Sequence, residues 1–143
     1  FEMATRIYTP SYISFETVLT RAGINFQYYD NIFVASYVTR EIEVGGQKIS
    51  FIRMKDYVLS NTQGLEHAAG YSIATKERAF LDRIYTTKDY HFDHLDVLDW
   101  DKVFEILPIY HNKRMDKKVK EYFEHYSAEG GSASGGKNSI TNI

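Results

Sequence analysis

The side chains best suited to chemistry are concentrated between Asp89 and Asp96, where His91 and His94 stand among Asp89, Asp93 and Asp96. Imidazole and carboxylate together suit a divalent transition metal, and a metal-bound water would make the chain a metal-dependent hydrolase. Two histidines three apart in a polar loop match no metal-ligand spacing, so a solvated loop is the competing reading and no metal ligand is assigned. A second set, Glu41, Glu43 and Lys48, raises the nuclease chemistry that pairs carboxylates with a lysine on a hairpin. Charges alternating outward are the ordinary pattern of a solvated sheet face, and the spacing here matches no acid-acid-x-lysine motif. No glycine-rich phosphate loop stands before a helix, and Ser11, Ser14 and Ser72 fall at caps and turns rather than in a nucleophile elbow. No catalytic residue and no cofactor is assigned. The expected class is a binding protein, not an enzyme.

One basic surface merits a function. Lys113, Lys117 and Lys120 share a helix face by i,i+4 and i,i+3 spacing, with Arg114 and Lys118 on its flanks. Such a patch suits an acidic protein surface or a nucleic-acid backbone. The competing reading is a solvated face balanced by Asp116, Glu121 and Glu124.

Bulk properties narrow the setting. A net charge of −2 over 143 residues gives no global attraction to nucleic acid or membrane, so any such binding must be local. Cysteine is absent, which removes disulfides, thiol nucleophiles and thiolate metal sites, and fits a reducing, cytoplasmic setting. No apolar run approaches the roughly 18–20 residues needed to span a bilayer, so no membrane association is expected. Hydrophobic residues make up 43% of the chain, enough for one core, and the 12 Tyr and 9 Phe suit its wet margins.

The elements that must position these groups follow from periodicity. Ser14 is expected to cap a short helix with Phe15, Val18, Leu19 and Ala22 on one face, stopped by Gly23. Residues Ile32 to Val44 carry a strand signature, and Gly45-Gly46 closes a hairpin pairing Val44 with Gln47, Glu43 with Lys48 and Ile42 with Ile49. A return strand over Lys48–Met54 gives way to a less regular stretch, then to an extended segment at Gly70–Ala74. That segment feeds a helix capped by Thr75, in which Phe80, Leu81, Ile84 and Tyr85 form the apolar face and Arg78, Asp82 and Arg83 lie off it. Glu77 projects onto that apolar face, so it must cap backbone or pair with a base. Asp99 caps a third helix with Trp100, Val103, Phe104 and Leu107 on one face, ended by Pro108. Asn112 caps a fourth, striped by Met115, Val119, Tyr122, Phe123 and Tyr126. The expected architecture is α+β, an antiparallel hairpin-based sheet packed with about four helices. Residues 1–126 form the domain, 127–136 a Gly/Ser linker and 137–143 a short tail peptide.

Three pieces of the chain, in order, resemble the C-terminal region of the AbiEi family, antitoxins of type IV toxin–antitoxin systems. The first is Ile7-Tyr8-Thr9-Pro10-Ser11-Tyr12-Ile13-Ser14-Phe15-Glu16 with Leu19 and Gly23. The second is Val38-Thr39-Arg40 and the hairpin into Ile49-Ser50-Phe51-Ile52-Arg53. The third is Ile73-Ala74-Thr75-Lys76-Glu77-Arg78-Ala79-Phe80-Leu81-Asp82-Arg83-Ile84-Tyr85, similar to the family's I-A-x-P-E-K-A-L-L-D-x-x-Y, with Lys76 where proline is usual. Leu98-Asp99-Trp100 and Tyr110-His111-Asn112-Lys113-Arg114 extend the likeness. It implies an abortive-infection, phage-defence antitoxin that counters a nucleotidyltransferase-like toxin encoded nearby, without a stable toxin complex. Family members also carry an N-terminal winged helix-turn-helix that binds operator DNA and makes the full-length protein an autorepressor. The chain is expected to begin just after that domain. Thr75, Glu77 and Asp82 are the motif positions with an expected structural role.

Overall fold

The computed structural model describes residues 1–128. The tail 137–143 and all but the first two positions of the expected linker lie outside the described residues.

A six-stranded sheet in the order β3-β4-β2-β1-β6-β5 forms the centre. Its strands are β1 (Tyr12–Ile13), β2 (Ile32–Ser36), β3 (Arg40–Val44), β4 (Gln47–Arg53), β5 (Leu65–Ala68) and β6 (Tyr71–Ala74). The hairpin β3–β4 turns at Gly45-Gly46, both at positive φ, and its register is the expected one: Val44↔Gln47, Glu43↔Lys48, Ile42↔Ile49. The α+β class holds, but the sheet is mixed rather than antiparallel. The strand-rich run from Ile32 breaks after Ser36, and β4 inserts between the two halves, parallel to β2 and antiparallel to β3. Burial explains the choice. Val34 and Ala35 are sealed from solvent and need neighbours on both sides, whereas β3 carries Glu41 and Glu43 and is suited to an edge. The second parallel contact joins β1 to β6 through Ile13↔Ile73.

Among the described residues six α-helices accompany the sheet, not about four: α1 (Glu2–Arg6), α2 (Glu16–Arg21), α3 (Asp56–Leu59), α4 (Lys76–Thr86), α5 (Trp100–Ile106) and α6 (Lys113–Ala128). The additional ones, α1 and α3, span only five and four residues, too short to show a hydrophobic period. Pro108 does not end α5 abruptly but sits in a 3-10 turn, Leu107–Tyr110, that follows it. Helix α6 includes Ser127 and Ala128, the first two positions of the expected linker. None of the helices among the described residues is long and apolar enough to cross a membrane.

Helix α4 is the pivot. Every residue from Glu77 to Ile84 is buried, including Arg78, Asp82 and Arg83, which the helical period had put off the apolar face. The period locates the apolar stripe but is blind to a second packing layer, and α4 is covered by α2, α5 and α6. Thr75 caps it as expected, accepting from the Arg78 N–H at 3.4 Å, while its own hydroxyl donates to the Gly64 carbonyl at 2.9 Å. Ser14 does not cap α2. Phe15 holds the N-cap position at φ 55°, and the Ser14 hydroxyl is committed elsewhere.

Candidate functional site

The Ser14 hydroxyl donates to Asp82, and so do the phenols of Tyr12 and Tyr110. Oδ2 receives Tyr12 at 2.8 Å and Ser14 at 2.7 Å, and Oδ1 receives Tyr110 at 2.6 Å. One helical turn earlier lies Arg78, its Nε 3.9 Å from Oδ1. Its guanidinium donates to the Tyr12 hydroxyl at 3.1 Å and to the carbonyls of Val58 at 2.8 Å and Gln63 at 2.7 Å, and also to that of Asn61. It stacks on the Tyr12 ring, 4.7 Å from the centroid. The side chains of both Arg78 and Asp82 have no solvent exposure.

The electrostatics follow from that burial. Desolvation pushes the Asp82 carboxyl up, against the opposing pull of Arg78 and the three hydroxyls. Burial, then the neighbouring Asp82 charge, pushes both Tyr12 and Tyr110 well above the usual phenol range. The enclosed carboxylate accepts from three hydroxyls and has no solvent exposure. Its work is to tie β1, α4 and the 3-10 turn together.

A second network lies at the other end of α4. Arg83 forms a buried ion pair with Glu16, whose second oxygen accepts from the Tyr90 phenol at 2.8 Å. Asn25 donates to that phenol at 2.7 Å, and the Arg83 guanidinium lies over the Phe15 ring at 4.6 Å. Glu77 is 2% exposed and pairs with Lys76 at 3.3 Å, the base partner expected. The backbone it holds is not its own helix's, however. It accepts from the Asp99 N–H at 2.9 Å, fixing the start of α5. Asp99 in turn caps α5, and Asn112 caps α6, both as expected.

Lys113, Lys117 and Lys120 are exposed on the outer face of α6, and none has an ion-pair partner among the described residues. Their flanking neighbours are spent internally. Arg114 donates to the carbonyls of Ile84 and Tyr85 at the end of α4, and Lys118 pairs with Asp89 at 3.2 Å. The structure therefore separates a free triad from two structural cations that the sequence had grouped with it.

The histidine loop does not converge. His91 faces Asp93 at 3.2 Å and His94 pairs with Asp96, while the second Asp93 oxygen accepts from the Phe26 N–H. Among the described residues no three metal-ligating side chains come together. On the hairpin, Glu41 accepts from Asn31 at 2.8 Å.

What sequence reasoning missed was Arg78, Glu16 and Arg83 as interior groups. The available signal was the Arg78/Asp82 spacing of i,i+4, which suits an ion pair on one side of the helix. No family model, curated protein or solved structure matches the chain.

Proposed function

We propose that this chain is the antitoxin domain of an AbiEi-type, type IV toxin–antitoxin system, acting without catalysis against a nucleotidyltransferase-like toxin encoded nearby. The observation that supports the reading is the meeting of two segments of the family-like pattern. Tyr12 and Ser14 from the first and Arg78 and Asp82 from the third, more than sixty residues apart, form one buried network. Residues that share a motif because a fold requires them are expected to touch, and these do. In the full-length protein the same chain would join an operator-binding domain and act as an autorepressor in the cytoplasm. The test is growth rescue. Cells expressing the neighbouring nucleotidyltransferase-like protein should recover when the full-length protein is co-expressed, and continued toxicity at equal expression would refute the reading.

A second reading is a nucleic-acid-binding accessory module using Lys113, Lys117 and Lys120. The observation favouring it is that these three cations are exposed and unpaired among the described residues. It expects salt-sensitive binding of duplex DNA that disappears when all three become Glu. Binding unchanged in that variant would exclude the face.

A further inference from the structure

A second group of cations without an ion-pair partner among the described residues stands on the sheet. Arg40 opens β3 and Arg53 closes β4. Arg40 is paired with Phe51, two positions from Arg53, so both arginines project from the same sheet face. Both are exposed, and neither has a carboxylate partner among the described residues. Glu41 and Glu43, next to Arg40 in sequence, point to the opposite face by the strand alternation, and Asp56, three residues after Arg53, forms no ion pair with it. Arg53 is the diagonal neighbour of Arg40, and two like charges on one sheet face without a counterion favour the arrival of an anion.

Aromatic rings border the pair. Tyr8 packs edge-on against Phe51, centroids 4.9 Å apart, and its hydroxyl accepts from Arg40 Nη1 at 2.8 Å. That bond engages one nitrogen of the guanidinium, and its remaining donors have no partner among the described residues. Tyr37, 44% exposed, stands edge-on to Tyr8 at 5.9 Å. Ser36, opposite Arg53 in the parallel register and fully buried, carries a hydroxyl with no hydrogen-bond partner among the described residues. The Arg53 N–H is held by the Thr39 hydroxyl at 3.1 Å, which pins the strand end beneath its side chain.

We propose that this end of the sheet binds a nucleoside monophosphate, an assignment independent of the antitoxin reading. The two planar guanidinium forks match phosphate oxygens, which accept two parallel N–H donors from each. The Tyr37 ring presents a π-face on which a base can stack, with Tyr8 as its brace. A bare phosphate would use the arginines alone, and an uncharged nucleoside the ring alone, so each half of the site has its own probe.

The experiment titrates the full chain with adenosine 5′-monophosphate, inorganic phosphate and adenosine, by isothermal calorimetry at low and at physiological salt. The nucleotide is expected to bind saturably and about tenfold tighter than phosphate, with adenosine weakest. Arg40→Gln with Arg53→Gln should weaken nucleotide binding by at least about tenfold, and Tyr37→Ala should weaken the nucleotide but not phosphate. Changing Lys113, Lys117 and Lys120 together to Gln should leave the nucleotide affinity as it was. Because Arg40 also braces Tyr8, Arg53→Gln alone is the variant to read if the double variant loses its folded circular-dichroism spectrum. Absence of saturable nucleotide binding, phosphate binding as tight as the nucleotide, or equal loss in the lysine variant would each overturn the assignment.

Discussion

Helices α4 and α6 carry comparable sets of charged side chains and treat them in opposite ways. On α4, Arg78, Asp82 and Arg83 are interior, and each is tied to groups from elsewhere in the chain. On α6, Lys113, Lys117 and Lys120 face solvent with no ion-pair partner among the described residues. The difference is the cost of an unpaired charge, which is severe in the interior and slight in water. Buried charges must therefore be satisfied by the fold itself, whereas exposed ones remain free for a partner.

The sharpest way to break this comparison is Asp82→Ala. It strands a buried guanidinium and three hydroxyls, and should lower the unfolding free energy by about 3–5 kcal/mol in urea denaturation. A loss under about 1 kcal/mol would mean that the network is ornamental.

Gly64→Ala probes the wall of the same network. Gly64 sits at φ +80°, and an added Cβ would lie 2.7 Å from Ile106 Cδ1 and 3.1 Å from Arg78 Cβ. Strain and overlap together should cost about 1–3 kcal/mol by the same measurement.

Glu77→Gln keeps an acceptor for the Asp99 N–H but loses its charge. A destabilisation of about 1 kcal/mol is expected.

Alkaline titration separates interior from surface by slope rather than size. Tyr12 and Tyr110 hold their protons above the unfolded phenol value of 10.0, so the folded state binds more protons than the unfolded chain there. Their contribution is present below that value and is lost as pH rises beyond it. Absorbance at 295 nm should show the ionisation of Tyr12 and Tyr110 held back until the protein unfolds. A single ionisation step without unfolding would contradict the buried assignment.

The smallest effect belongs to α6. Replacing Lys113, Lys117 and Lys120 by Gln should leave the urea midpoint unchanged, since no partner among the described residues is lost with them. A measurable shift would show that the face is part of the fold.

Much of the architecture was legible because local chemistry dictated it. The Gly45-Gly46 turn set the β3–β4 register, Thr75, Asp99 and Asn112 capped their helices, and the Met115/Val119 stripe marked the inner face of α6. Ser14 misled for a physical reason. A hydroxyl that can cap a helix can equally serve a buried carboxylate, and Asp82, 68 positions away, had the greater need.

Sequence alone determined the four longer helices, the caps at Thr75, Asp99 and Asn112 and where the hairpin turns, because those depend on neighbours within a few residues. Only the tertiary structure decided that β4 inserts beside β2, that α4 is buried on every side, and which cations remain unpaired. These depend on contacts between residues tens of positions apart, for which a one-dimensional period carries no signal.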